Sequence, residues 1–207
     1  MNPFQNLSKL GLGANHVLHI GGHQGQEVEF YKESGIEKIT LVEPIPELAQ
    51  QLRSKFDGVR VLEYAIGLEE GPKEFHVMNP TNVSTLLDPL SEDRVSRKIT
   101  VEVRTLENIT EPDMNLLVVD TQGTELDVLK SGKNVLSQFE GVIVETCTVQ
   151  DKTMASLYDD VVDFMRSQGF HSRVFWPRDY TGVVRFARGP KAKARPGEQI
   201  RDVVFTR

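Results

Sequence analysis

Apolar and polar positions alternate along the chain with two periods, and the switches between them mark out the elements. Residues 17–21, 38–43, 59–64, 115–120, 142–145 and 170–176 are short runs rich in Val, Ile and Leu and read as strands. Between them, residues 25–34, 46–56, 125–130 and 155–168 carry apolar side chains at helical spacing, as Leu48 and Leu52 do. Strands that are apolar on both faces and joined through helices pair in parallel, because each crossover helix must cover one face of the sheet. The pattern predicts an α/β fold with a doubly wound, mostly parallel seven-stranded sheet. The alternation loosens over residues 67–106. There residues 74–77 and 99–104 resemble antiparallel edge strands around a polar, mobile insert or lid, residues 79–97. In the tail, residues 183–187 and 202–206 bracket a Lys/Arg/Gly/Pro-rich loop, 188–199, and predict an antiparallel hairpin around 182–207. Neither repeat nor linker interrupts the chain, so residues 1–207 read as one domain.

Composition narrows the class. With 39% hydrophobic and 26% charged residues, the 207-residue chain matches an ordinary soluble domain able to bury a sizeable core. A formal net charge of −6 argues against general nucleic-acid affinity. One Cys leaves no internal disulfide framework, and Cys147 reads as a small buried residue. The first residues lack a basic region leading into an apolar core, and no apolar run reaches membrane-spanning length. These features point to a cytoplasmic protein without nucleic-acid or membrane partners. They say nothing about oligomeric state.

The first strand breaks into Gly21-Gly22-His23-Gln24-Gly25, and a carboxylate, Glu43, closes the second strand about 20 residues further on. Glycines let the backbone turn sharply and approach a ligand, while a carboxylate at the next strand end can accept the hydroxyls of a ribose. The turn is shorter than the G-x-G-x-x-G of dinucleotide sites and supplies fewer N–H groups for a pyrophosphate. A ligand with an adenosine half and no phosphates fits better. Pro44 marks Glu43 as the last strand residue, facing the crevice.

Several blocks then follow in order: His19-Ile20-Gly21-Gly22-His23-Gln24-Gly25, Val42-Glu43-Pro44, Ala65-Ile66-Gly67, Ser84-Thr85-Leu86, Thr105-Leu106-Glu107, Leu116 to Glu125, and Val142-Ile143-Val144-Glu145. In that order they resemble the FkbM-type methyltransferases. The resemblance implies a class I, Rossmann-like fold, S-adenosylmethionine as cofactor, and methyl transfer to an oxygen of a sugar, a glycan or a small secondary metabolite. Gly21, Gly22 and Gly25 would then surround the methionine part of the cofactor, Glu43 its ribose, and Ala65 and Ile66 its adenine. Four sites depart from the family pattern. His19 stands for Asp, Gly22-His23 for a small residue and Asn, Val118 for Lys, and Gln122 for Glu. They read as the trait of a subgroup. A non-catalytic relative that binds a cofactor or a protein is the alternative reading, with a nicotinamide oxidoreductase as another.

Asp120, at the end of the fourth strand, is the first candidate for the reacting neighbourhood, followed by Glu145 and His23; Asp120 also counts among the cofactor-binding candidates. Its rival role is an N-cap for the helix near Thr124. Gln122 and Glu125 read as residues that shape this turn. His19 can hydrogen-bond the amino-acid part of the cofactor when neutral. His16, His19 and His23 invite a metal reading, set aside because alternate strand residues face opposite ways and no nearby carboxylate or Cys completes a ligand set. Ser84 and Thr85 fall in the insert and suit either a lid or a surface loop. Trp176 to Tyr180 and the tail cations Arg185, Arg188, Lys191, Lys193, Arg195 and Arg201 are further acceptor-facing candidates, set against aromatic packing and a solvated loop.

Overall fold

Strands apolar on both faces force helices onto both sides of a sheet. The computed structural model, which describes residues 13–89, 92–147, 156–177 and 200–207, has that arrangement. Its elements run β1 (His16–Ile20), α1 (Val28–Glu33), β2 (Lys38–Val42), α2 (Pro46–Lys55), β3 (Val59–Leu62), β4 (Ala65–Ile66), β5 (Gly71–Met78), β6 (Val95–Arg104), α3 (Leu106–Ile109), β7 (Leu116–Val119), α4 (Glu125–Ser131), β8 (Gly141–Glu145), α5 (Tyr158–Ser167), β9 (His171–Pro177) and β10 (Ile200–Thr206). Seven strands form one sheet in the order β3-β2-β1-β7-β8-β10-β9. The pairs β3/β2, β2/β1, β1/β7 and β7/β8 are parallel, and β10 runs antiparallel to both β8 and β9.

Alternate strand residues feed two cores. Leu18, Ile20, Leu117, Val119, Val142 and Val144 pack on one face with Leu129 of α4 and Met165 of α5. Val17, Leu41, Leu116, Val118 and Ile143 pack on the other with Val28 and Tyr31 of α1 and Leu52 of α2. Helix α2 is specified locally as well: Pro46 opens it, Glu47 lies in its first turn, and Arg53 and Lys55 lie in its last, each matching the helix dipole. His16 belongs to this scaffold. Its Nε2 is 2.9 Å from Thr40 Oγ1 and its Nδ1 is 3.3 Å from the Asp113 carboxylate.

Three expectations change. The antiparallel strands of the insert are not edges of the main sheet. With β4 they form a separate three-stranded sheet, β4-β6-β5, in which β5 is antiparallel and β4 parallel to β6. Phe75, Val77, Val101 and Val103 on one face of it bury against Ile45, Leu48 and Ala65, so β2, α2 and the chain after β3 serve as its floor. Part of the region read as a mobile insert is therefore built in: β6 starts at Val95, and Ser84 and Thr85 are buried. The hairpin partner of β10 is β9, whereas residues 183–187 and the loop 188–199 lie outside the described residues. Finally, the first helix begins at Val28, later than Gly25, because residues 21–27 are used by the turn.

Candidate functional site

From β1 the chain winds to β2 on one side of the sheet, and β7 leads to β8 on the other, so the loops leaving β1 and β7 diverge and open a crevice. A cavity of about 560 Å³ lies there, within the range of small-molecule sites. Its walls include Gly21 and His23 after β1, Glu43 after β2, Ala65 and Ile66 in β4, Asp120 after β7 and Glu145 at the end of β8. The turn Thr81–Val83 and Ser84, from the insert, close another side.

The three glycines divide their work. Gly21 lines the cavity with φ 92°, and a Cβ there would sit 1.8 Å from the carbonyl oxygen of Asp120. Gly22 and Gly25 do not line it. A Cβ on Gly22 would press Leu41 at 3.1 Å; one on Gly25, at φ 68°, would meet Phe56 at 2.5 Å and Leu52 at 2.9 Å. These two glycines let the turn dock on β2 and α2, a packing role and not the ligand contact expected of them. The N–H groups of Gly21 and Gly22 donate to the Val42 carbonyl at 2.9 and 3.0 Å, and that of Gly25 to the Gly22 carbonyl at 2.8 Å. His23 N–H donates to Glu43 Oε2 at 2.9 Å. Four N–H groups of the turn, the donors a bound phosphate would need, are thus already used.

Glu43 is 4% exposed. Its carboxylate accepts from the N–H groups of His23 and Ile45, each at 2.9 Å. Burial outweighs these two bonds and pushes its pKa from 4.5 to about 7. A carboxylate has about four acceptor positions. Two therefore remain for ligand hydroxyls.

His19 is 3% exposed, with Nδ1 3.0 Å from the Tyr31 hydroxyl. Burial drives the tyrosine well above its usual pKa and lowers that of the imidazole. Both groups are therefore neutral at neutral pH, and the ring tautomer sets which of them donates. His23 Nε2 lies 2.9 Å from Thr81 Oγ1, which ties the glycine turn to the insert. Burial lowers its pKa too, against the opposing pull of Gln26 and Glu27.

On the far wall, the Gln122 side-chain N–H₂ group donates to Asp120 Oδ1 and, at 2.7 Å, to Glu145 Oε2. Burial first, and then the charge of Glu145, holds Asp120 well above the usual carboxylate range. Burial and the neighbouring carboxylate thus favour the protonated form of Asp120. His23 (φ 40°) and Gln122 (φ 55°) are the non-glycine residues with left-handed backbone among those described, and both line the cavity. Strain of this kind persists where surrounding contacts over-determine it. Here the Gln122 carbonyl accepts from Thr85 Oγ1 at 2.9 Å.

Asp120 does not cap α4. The N-cap residue Thr124 makes no side-chain cap hydrogen bond, and the turn before α4 is held instead by Glu125, fully buried, whose carboxylate accepts from the N–H groups of Thr121 and Gly123 at 3.0 Å and of Ser156 at 2.7 Å. Oxygens of Asp120, Glu125 and Glu145 lie within 4.8 Å of one another, a spacing that could hold a cation. Those of Glu125 are spent on backbone donors, and the Gln122 amide already bridges the other two.

Sequence reasoning missed Glu27, Gln26, Tyr64, Phe75, Thr81 and Asn82, which also line the cavity. Only Glu27 carried a signal, as an acidic residue closing the glycine turn at the N-cap of α1. Cys147 is half-buried and off the cavity wall. The side chains of Trp176 and Pro177, residues 178–180 and the tail cations lie outside the described residues or side chains. No helix among the described residues is long and apolar enough to cross a membrane.

Comparison with known proteins places this geometry. A sequence model of the methyltransferase FkbM domain matches residues 19–172. Among solved structures, the chain is similar over its whole length to methyltransferase FkbM from Methylobacillus flagellatus KT, with a TM-score of 0.57 and 12% identity. It spans 48% of that protein, about half its length. A candidate tRNA (m1A22) methyltransferase of Streptococcus pneumoniae is matched at TM-score 0.56 and 10% identity, covering 100% of this chain and 69% of that one. The 1,6-didemethyltoxoflavin-N1-methyltransferase of Burkholderia thailandensis, solved with S-adenosylhomocysteine, gives 0.50 and 11%, covering 99% and 76%. A search of curated proteins found no match.

Proposed function

The chain belongs to the FkbM methyltransferase family, and from that premise we propose that it is an S-adenosylmethionine-dependent O-methyltransferase acting on a hydroxyl of a sugar, a glycan or a small secondary metabolite. The observation that carries the reading is Glu43: a buried carboxylate at the end of β2, fixed by two backbone donors and open toward the switch-point crevice. The cavity fits the cofactor in three further respects. Gly21 leaves space beside the Asp120 carbonyl that any Cβ would fill, the turn has spent the donors a pyrophosphate would need, and among the described residues the lining contains carboxylates but neither Lys nor Arg. That last feature suits a cationic ligand.

When bound, the cofactor supplies an electrophilic methyl group on a positively charged sulfur. Glu43 would hold the ribose hydroxyls, Ala65 and Ile66 the adenine, and the neutral His19 would pose no charge repulsion to the amino-acid part. The residues then have to align an acceptor hydroxyl with the methyl group and take its proton. The Asp120–Glu145 pair suits the second task, since two oxygens held by one amide can receive a proton with little rearrangement. The oxygen acceptor itself follows from the family resemblance.

Titration calorimetry with S-adenosylmethionine, S-adenosylhomocysteine and NAD tests the reading, followed by mass spectrometry for a methyl ether on a panel of neutral sugars and phenolic metabolites. Binding of the adenosyl ligands with methyl ether formation is expected. Binding of NAD alone would overturn the proposal, and cofactor binding without product on any acceptor class would favour a non-catalytic role.

A further inference from the structure

Four carboxylates line the cavity, and three are already committed. Glu43 holds two backbone N–H groups, while Asp120 and Glu145 hold the Gln122 amide. Glu27 differs: although it stands at the N-cap of α1, its side chain makes no cap hydrogen bond, and no partner is seen for it among the described residues. It is half-buried on the cavity wall with no Lys or Arg nearby in the lining.

Its place in the cavity is also defined. Glu27 follows the glycine turn at the N-cap of α1 and lines the cavity together with His19 and His23 of β1 and that turn, whereas Ala65 and Ile66 reach it from β4. The neighbouring His19 ring is neutral and held by Tyr31, so it neither neutralises Glu27 nor supplies an anionic contact itself. A half-buried carboxylate in that position lacks a cation.

We propose that Glu27 binds the ammonium group of the methionine part of the cofactor, and so fixes which end of the ligand lies against the β1 turn. This rests on the methyltransferase reading above. With the ribose held at Glu43, the adenine extends toward Ala65 and Ile66 and the amino-acid part extends the other way, toward Gly21 and Glu27. An ammonium has three donors and no acceptor, and a carboxylate is its natural partner.

The test compares two ligands on two proteins by calorimetry: S-adenosylhomocysteine, which has the amino-acid part, and 5′-methylthioadenosine, which lacks it. Glu27→Gln keeps the shape and removes the charge. The expected result is about a 10- to 100-fold loss of affinity for S-adenosylhomocysteine, the range for a hydrogen bond to a charged group. Affinity for 5′-methylthioadenosine should stay within about twofold, and its retention also certifies that the variant is folded. An unchanged S-adenosylhomocysteine affinity would overturn the proposal, as would an equal loss for both ligands. Failure of the unaltered protein to bind either ligand would instead remove the methyltransferase reading, and Glu27's role with it.

Discussion

Replacing Glu43 with Gln should separate two effects of the same carboxylate. The rise of its pKa from 4.5 to about 7 means that the fold resists charging this group. At 1.36 kcal/mol per pH unit, the resistance amounts to about 3 kcal/mol. Because the folded pKa is raised above the unfolded one, the native state binds a proton between about pH 4.5 and 7 that the unfolded chain has released. Stability from this group is therefore highest below about pH 4.5 and falls as pH rises from there to about 7. Glu43→Gln abolishes that fall, although its amide oxygen can serve only one of the His23 and Ile45 donors. The informative quantity is thus the slope. Urea unfolding from pH 4 to 8 should show the unaltered protein losing about 3 kcal/mol relative to the variant. Cofactor binding should run the other way: S-adenosylhomocysteine affinity in the unaltered protein should weaken below pH 7 as the acceptor is protonated. In Glu43→Gln it should be weaker by about 1.5 to 3 kcal/mol at pH 8 and free of that pH dependence. Parallel stability curves for the two proteins, or equal affinities at pH 8, would refute the reasoning.

Gly25→Ala should cost about 1–2 kcal/mol for the left-handed backbone and about 1–3 more for the contact with Phe56 and Leu52, read as a lower urea midpoint. An unchanged midpoint would mean that the turn is not docked on α2 as described. Asp120→Asn should lower kcat by about 10²- to 10⁴-fold while S-adenosylhomocysteine affinity changes little, and retention of full turnover would leave Asp120 without a proton-transfer role. Thr81→Val removes the partner of His23 Nε2 and should destabilise the protein by about 0.5–1.5 kcal/mol in the same unfolding assay, with no loss arguing against that link.

The parallel sheet was legible because β1, β2, β7 and β8 place apolar residues on both faces, a pattern that forces burial on both sides of the sheet. Glu43 and Asp120 were legible for a related reason: each follows an apolar run whose end must face the crevice. The roles of Gly22 and Gly25 were not, since a glycine that meets a ligand and one that meets Phe56 look alike in sequence; only the packing of α2 separates them. Of the roof, Ser84 was legible only as a lid-or-loop candidate and Thr81 not at all, since both sit in a polar stretch without periodicity whose position is set by β5 and β6 through contacts distant in sequence. Asp120 does not serve as the N-cap it could have been, and Glu125, read from the sequence as a residue shaping this turn, holds it by accepting from the Thr121 and Gly123 N–H groups.

The small sheet's turn is fastened at two points, to the glycine loop through His23 and Thr81 and to the strained turn after β7 through Thr85 and the Gln122 carbonyl. One cover therefore serves both halves of the crevice. For anyone re-engineering the protein, exchanging this cover to admit a different acceptor would also disturb the grip on the cofactor, so the two traits would have to be selected together.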